Sequence, residues 1–115
     1  MKSGGKCELG VAVSCLNDAL EFHITRGTNL KIITVLNDII NNSLSNGKIT
    51  VDSLLSSLKQ LTREESKLLK EAIEKYKTYN LERIHCLLAI IPCDVYVDYQ
   101  MSTLLQGCNY IISQV

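Results

Sequence analysis

Apolar residues return every three or four positions through most of this 115-residue chain, and this spacing restricts the fold more than any other feature. In the first such stretch, four of them follow at steps of four, three and four: Leu9, Val13, Leu16 and Leu20. Because an α-helix completes a turn in about 3.6 residues, these steps place the side chains on one face that can pack against a core. The periodicity predicts an all-α fold.

The periodic segments predict a compact single-domain bundle of about five to six helices. We expect residues 8–115 to form this domain and residues 1–7 to form a flexible N-terminal lead-in. A chain of this length can bury a hydrophobic core without metals or disulfides. The predicted helices cover residues 8–22, 29–41, a stretch from about residue 51, 62–79 and 81–91, and a last segment follows Pro92.

Short polar motifs predict where several of these helices begin. Thr62-Arg63-Glu64-Glu65 is typical of a capping box, in which Thr62 and Glu65 satisfy each other's backbone N–H groups. The alternative at this point is one long kinked helix. Thr28 or Asn29 is expected to cap the second helix, Asn80 to cap the fifth, and Ser45-Asn46-Gly47 to form a turn.

The segment after Pro92 has two interpretations. Residues 94–99 are rich in β-forming residues and partly alternate in polarity, as a strand would. Against this, Asp94 is a good helix cap, and apolar residues continue at helical steps as far as Cys108. We favour a sixth helix, in which Gly107 either ends the helix or lies inside it at a cost of about 1 kcal/mol.

The five cysteines indicate free thiols rather than disulfides, metal ligands or nucleophiles. Their number is odd and their spacing shows no paired framework, so buried thiols in a reducing compartment are expected. A zinc site would need paired ligands such as Cys-x-x-Cys, and none exists. His85 lies beside Cys86 and points about 100° away on a helix, and partly exposed histidines are expected. We therefore predict no enzyme, no metal and no cofactor.

Basic residues concentrate on one side of the fourth predicted helix, although the formal net charge of the chain is zero. At about 100° per residue, four cations fall within a sector of roughly 80°. Such a sector can contact phosphates, although Glu74 lies inside it and a solvated helix face has the same pattern. The predicted contacts to RNA or to an acidic partner are Arg63, Lys67, Lys70 and Lys77.

Two tyrosines in the last segment are candidates for a peptide-binding groove. Tyr96 and Tyr99 lie three residues apart, so a helix would place them on one face. Packing in the core with outward hydroxyl groups is the alternative. Surplus apolar residues on the second and fifth predicted helices also indicate a surface for a protein partner or a second copy of the chain.

Several short segments occur in an order that is similar to one viral family. They are Leu9-Gly10-Val11, Ile24-Thr25, Ile84-His85 with Leu88, Ile91-Pro92-Cys93-Asp94-Val95, and Thr103-Leu104. Over most of its length the chain resembles the helical core domain of pneumovirus transcription antitermination factors and of the filovirus minor nucleoprotein. The resemblance implies a module that binds RNA or a proline-rich segment of a nucleoprotein and supports viral transcription. Members carry a Cys₃His zinc element ahead of this domain, and because this sequence lacks it, no zinc site is implied.

Two functions follow as hypotheses, both without catalysis. The first is a helical binding module that acts as a viral nucleoprotein- or RNA-associated transcription cofactor. The alternative is a protein–protein adaptor or host-directed inhibitor that acts through an apolar groove or a homodimer interface. The longest apolar run, residues 86–91, is too short to cross a bilayer, and no signal peptide is recognised. We therefore expect an intracellular protein in the cytoplasm, with no membrane partner. The viral resemblance implies the cytoplasm of a host cell.

Overall fold

The computed structural model describes the backbone of residues 3–90 and 94–115 and the side chains of residues 9–83 and 101–115. These residues form five helices and one two-stranded hairpin, so the predicted all-α bundle is confirmed. In chain order the elements are α1 (Ser3–Arg26), α2 (Leu30–Ser43), β1 (Leu44–Ser45), β2 (Lys48–Ile49), α3 (Val51–Lys59), α4 (Arg63–Ile90) and α5 (Asp94–Ser113).

Helix α1 begins at Ser3 and ends at Arg26, so it extends past both ends of the predicted helix. Gly27 ends it with a positive φ of 61°. The N–H of Gly27 donates to the carbonyl of Ile24, and that of Thr28 donates to the carbonyl of His23, each at 3.2 Å. This is a Schellman motif, which favours glycine because the left-handed backbone penalises a Cβ atom.

The turn between α1 and α2 leaves Asn29 as the residue that caps α2. Its Oδ1 accepts a hydrogen bond from the backbone N–H of Lys31 at 2.8 Å. Thr28, the other predicted cap, instead lies 2.7 Å from His23 Nδ1 through its hydroxyl group. Asn29 therefore starts α2 while Thr28 holds the end of α1.

A small hairpin joins α2 to α3, and it confirms the turn predicted from Ser45-Asn46-Gly47. Asn46 has φ 54° and Gly47 has φ 76°, the positive values that two-residue hairpin turns of type I′ require. The antiparallel register pairs Leu44 with Ile49 and Ser45 with Lys48. The sequence predicted the turn but not these two short strands, which have too few residues for a periodic signal.

Hydrogen-bonded caps separate α3 from α4, so the long kinked helix considered above is wrong. The backbone N–H of Thr62 donates to Glu65 Oε1 at 2.9 Å, and that of Glu65 donates to Thr62 Oγ1 at 3.1 Å. The predicted capping box is confirmed. Thr50 and Ser53 form a second box at the start of α3 that the sequence analysis did not identify.

The predicted break between a fourth and a fifth helix is wrong, because α4 continues from Arg63 to Ile90. Asn80 does not cap a helix. Its Nδ2 donates to the backbone carbonyl of Tyr76 at 2.8 Å, one turn earlier in the same helix. Capping residues can bond within a helix as well as at its start, and the local sequence does not distinguish the two cases.

The last segment is helical from Asp94 to Ser113, so the strand alternative is wrong. Gly107 lies inside α5 and not at its end. A Cβ atom at this position would lie 2.5 Å from the carbonyl oxygen of Val11 and 3.1 Å from the Cβ of Cys15. Glycine is needed here because α5 passes directly against the backbone of α1.

The core lies between α1, α2, α4 and α5, with α3 packed on α2. The buried face of α1 consists of three small residues, Ala12, Cys15 and Ala19, together with Leu16 and His23. Among the described residues no helix is long and apolar enough to cross a membrane. The largest fully buried apolar side chains are Leu16, Ile32, Leu36, Ile39, Leu54, Leu69, Ile73 and Ile111.

Candidate binding surfaces on helix α4

Three of the four predicted basic residues form an exposed cationic surface on the first half of α4. Arg63, Lys67 and Lys70 are all exposed. Within the described side chains none of the three forms an ion pair. They lie within about 60° around the helix axis and extend about 10 Å along it. We call these three residues the basic surface.

Lys77, the fourth predicted residue, is only partly available. Its ammonium lies 3.7 Å from Glu74 Oε1, and its side chain is 21% exposed. On the helix it lies about 40° from Ile73, which is fully buried, so its stem runs along the edge of the core. The structure therefore separates Lys77 from the other three cations.

Three carboxylates near the basic surface have local partners other than Arg63, Lys67 and Lys70. Glu74 pairs with Lys77, and Glu71 pairs with Lys75 at 3.1 Å. The Glu65 carboxylate accepts from the backbone N–H of Thr62. These contacts direct three acidic groups toward local partners and leave the basic surface with a local excess of positive charge.

The predicted groove at Tyr96 and Tyr99 is not tested. Both residues lie in α5, but their side chains are outside the described residues. The groove stays a prediction.

A different aromatic groove, which the sequence analysis did not identify, lies between α1 and α4. The ring centroids of Phe22 and Tyr79 are 5.1 Å apart, and those of Phe22 and Tyr76 are 5.8 Å apart. The Arg26 guanidinium lies 4.1 Å from the Tyr79 ring centroid and 5.1 Å from that of Phe22. Each distance is within the range of a cation–π contact. We call the depression formed around these residues the α1–α4 groove.

The groove is open, with a volume of about 450 Å³, and has acidic side chains on its α1 side. Asp18 and Glu21 line it together with Arg26, so charges of both signs are available to a ligand. Tyr79 is 38% exposed, whereas Tyr76 is buried. An apolar group could pack on Tyr79 while polar groups next to it contact the carboxylates.

The Tyr76 hydroxyl donates to Asp18 Oδ2 at 3.3 Å below this groove. Burial raises the pKa of Tyr76 above its ordinary value, and the negative charge of Asp18 raises it further. Tyr76 therefore remains a neutral hydrogen-bond donor at physiological pH. It connects α4 to α1 and does not act as a base.

His23 is fully buried, so the expectation of partly exposed histidines is wrong for this residue. Its Nε2 lies 3.0 Å from the backbone oxygen of Ala72 and its Nδ1 lies 2.7 Å from Thr28 Oγ1. A carbonyl oxygen only accepts, so Nε2 carries a proton and donates to Ala72. Nδ1 contacts the Thr28 hydroxyl, which also donates to the His23 backbone carbonyl at 3.4 Å. With both nitrogens engaged, His23 joins α1 to α4 and leaves no free nitrogen for a metal or substrate.

Cys15 and Cys108 are buried free thiols, which confirms the prediction for these two cysteines. The side chains of the other three are outside the described residues. Among the side chains that the structure describes, no group of three or more metal-ligating residues comes together.

Comparison with protein-family models, curated proteins and solved structures gave no match to this chain. The viral resemblance thus stays a prediction. One local signal for the α1–α4 groove was present in the sequence, since Phe22 and Arg26 lie four residues apart and share a helix face. Their contact with Tyr79, more than 50 positions later, depends on how the helices cross.

Proposed function

We propose that this protein is a non-enzymatic helical binding module that contacts RNA phosphates through its basic surface. The observation that supports the proposal is the exposure of Arg63, Lys67 and Lys70 on one face, without ion pairs among the described side chains. An α-helix rises about 1.5 Å per residue, so Lys67 lies about 6 Å and Lys70 about 10 Å along the axis from Arg63. Long side chains at these separations can reach neighbouring phosphates of one strand.

The expected affinity is modest because the surface has three cations and the whole chain is neutral. Three phosphate contacts to a single strand should give a slope of about −2 in a plot of log affinity against log salt concentration. The resemblance to viral antitermination factors supports a role as a nucleoprotein- or RNA-associated transcription cofactor. That role remains part of the proposal.

Fluorescence anisotropy with a short single-stranded RNA, measured over a series of salt concentrations, tests the proposal. The double variant Lys67→Glu/Lys70→Glu should abolish binding at low salt. The matched control Lys59→Glu/Lys75→Glu makes the same change in net charge at two exposed lysines outside the basic surface and should bind more strongly than the test variant.

Three results would contradict RNA binding through this surface. They are absence of binding at low salt, unchanged binding by the test variant, and equal weakening by the control. Equal binding to poly-glutamate and to RNA would instead indicate an acidic protein partner.

We propose as a second candidate a protein–protein adaptor, or host-directed inhibitor, that binds a peptide in the α1–α4 groove. The supporting observation is the half-exposed stack of Arg26 on Tyr79 next to the Asp18 and Glu21 carboxylates. These groups favour a peptide with an apolar side chain next to a basic one. The surplus apolar residues of α2 give less support, because Ile32, Val35, Leu36 and Ile39 are buried within this chain.

Peptide selection from a random display library distinguishes the two candidates. Peptides selected on the wild-type protein should lose binding to Arg26→Ala and keep binding to Lys67→Glu/Lys70→Glu. Sedimentation equilibrium of the same proteins tests the homodimer alternative. Selected peptides that bind Arg26→Ala as well as the wild type would exclude the α1–α4 groove.

A further inference from the structure

Two cysteine side chains face each other where α1 meets α5. The Sγ atoms of Cys15 and Cys108 are 3.6 Å apart, and 93 positions separate the two residues in the chain. Both are free thiols, with 4% and 0% of their surface exposed. Neither surface proposed above includes them.

The backbone contact next to the pair explains its short distance. Because Gly107 has no side chain, α5 can lie against the Val11 carbonyl of α1. Cys108 follows directly, so its thiol points into a region where the two helix backbones are unusually close. In an ordinary helix contact the axes are about 8–10 Å apart, and two facing cysteines are not held at such a short distance.

We infer that Cys15 and Cys108 are an oxidation site, at which a small peroxide converts the two thiols into a reversible disulfide. A disulfide has an S–S distance of about 2.05 Å, so the sulfur atoms must approach by about 1.5 Å. The disulfide requires rotation about the two Cα–Cβ bonds and a small adjustment of α5.

Cys108 is the residue that reacts first. The Cys15 thiol donates to Cys108 Sγ, and this hydrogen bond lowers the pKa of the Cys108 thiol. Burial and the negative charge of Glu74 oppose this shift, and the positive charge of Lys77 adds to it, so that the pKa is lowered on balance. The same contact, together with burial, raises the pKa of Cys15. Thiolates and not thiols are the nucleophiles, so the asymmetry assigns attack to Cys108 and resolution to Cys15.

The chemistry uses one hydrogen peroxide and releases two waters. The Cys108 thiolate attacks one peroxide oxygen, an S–O bond forms, the O–O bond breaks, and the departing hydroxide takes a proton to become water. The Cys15 sulfur then attacks the sulfenic sulfur of Cys108, the S–S bond forms, the S–O bond breaks, and the second hydroxide leaves as water with the Cys15 proton. Two thiols are oxidised by two electrons in total, and the peroxide is reduced.

Burial explains why the oxidant is a small peroxide. An isolated buried thiol is normally inert, and a disulfide oxidant of peptide size reaches these sulfurs only after local opening. Hydrogen peroxide is only slightly larger than water. Once Cys108 is oxidised, the second thiol is already in contact and reacts before a solvent thiol can enter.

The disulfide would tie the first helix to the last and close a loop of more than 90 residues. Closing a loop of this length restricts the unfolded chain strongly, so the oxidised protein should melt about 10 °C above the reduced one.

Peptide mapping of the full chain tests the inference without any substitution. The reduced protein is treated with hydrogen peroxide, alkylated, and digested without reduction by proteases that cut after Lys and Arg, after Glu, and before Asp. Cys15 is then alone on peptide 9–17 and Cys108 alone on peptide 98–115. The expected result is a linked mass of these two peptides and a higher melting temperature, both reversed by dithiothreitol.

Matched serine variants show which cysteines matter. Cys108→Ser should abolish both the linked mass and the rise in melting temperature, whereas Cys93→Ser should keep both. If Cys108→Ser fails to fold, Cys15→Ala gives the same test from the other partner. The inference is overturned if the wild-type chain forms no 9–17/98–115 link under peroxide, if Cys108 links instead to Cys86 or Cys93, or if linkage leaves the melting temperature unchanged.

Discussion

Helix α1 contacts α5 and α4 in different ways. Toward α5 it presents a backbone carbonyl and small side chains, and Gly107 lies directly against Val11. Toward α4 it presents a ring and polar groups, and His23 and Asp18 form hydrogen bonds across the contact. At Gly107 the contact with α5 leaves no room for an added atom, whereas the contact with α4 depends on directional bonds and remains partly open to solvent. The four predictions below test this difference, from the largest expected effect to the smallest.

Replacing His23 should have the largest effect, because its ring fills a fully buried position and bonds to two groups. His23→Ala leaves a cavity and removes the hydrogen bonds to Ala72 and Thr28, so we expect a loss of about 2–4 kcal/mol in the free energy of unfolding. Urea denaturation measures this loss of stability. His23→Gln, whose amide can still donate to Ala72, should lose less, and equal losses for the two variants would argue against the hydrogen-bonded role.

Two glycine-to-alanine variants should change stability in opposite directions. At Gly107 the new Cβ meets a backbone oxygen at 2.5 Å, so α5 must shift and we expect a net loss of about 2 kcal/mol despite the better helix propensity. At Gly10, also inside a helix, a Cβ meets nothing within 4 Å, and Gly10→Ala should stabilise by about 0.5–1 kcal/mol. Melting temperatures measured in parallel test the pair. A more stable Gly107→Ala protein would show that the α1–α5 contact is looser than described.

The hydrogen bond between Tyr76 and Asp18 should contribute about 1 kcal/mol to the free energy of unfolding. This contribution should decrease at alkaline pH. The folded-state pKa of Tyr76 is raised above its unfolded value of about 10, so the contribution is fully present below that pH and is lost as pH rises through the folded value. Tyr76→Phe should be less stable than the wild type at neutral pH, and this difference in the free energy of unfolding should become smaller above about pH 10. Unfolding curves of both proteins at several pH values test this, and a constant difference would contradict it.

The smallest effect is expected at the open edge of the α1–α4 contact. Arg26→Ala removes the guanidinium from the rings of Phe22 and Tyr79, and an exposed cation–π contact contributes about 0.5–1 kcal/mol. Arg26→Lys keeps the charge but not the planar stack, so its stability should lie between those of the wild type and Arg26→Ala. Chemical denaturation measures both variants. A loss as large as that of His23→Ala would mean that the groove is part of the core and not a surface.

Much of the local structure was predictable because its causes lie within a few residues of one another. The capping box of Thr62 and Glu65 and the turn at Asn46-Gly47 are both present as expected. Side-chain length and the tolerance of Asn and Gly for positive φ are properties of the residues themselves. The predicted basic residues were also found on one face of α4, since helical angle follows directly from spacing.

Other features required the helices to be placed against one another. Asn80 has the chemistry of a cap, but it lies inside α4 and bonds to the Tyr76 carbonyl. Lys77 belongs to the basic sector by angle, yet its position next to the core and Glu74 withdraws it from the surface. In both cases the same residue has two possible local arrangements, and its own chemistry does not select one.

The sequence by itself determined the helical class, the capping box of Thr62 and Glu65, the turn at Asn46-Gly47 and the common face of the α4 cations. Short-range hydrogen bonds and a 3.6-residue period decide these features. Only the tertiary structure decided that Gly107 lies against α1, that Phe22 and Arg26 meet Tyr79, and that Cys15 faces Cys108. These contacts join residues more than 50 positions apart. They depend on how closely the helices approach and at what angle they cross, and the periodicity of a single segment does not specify either quantity.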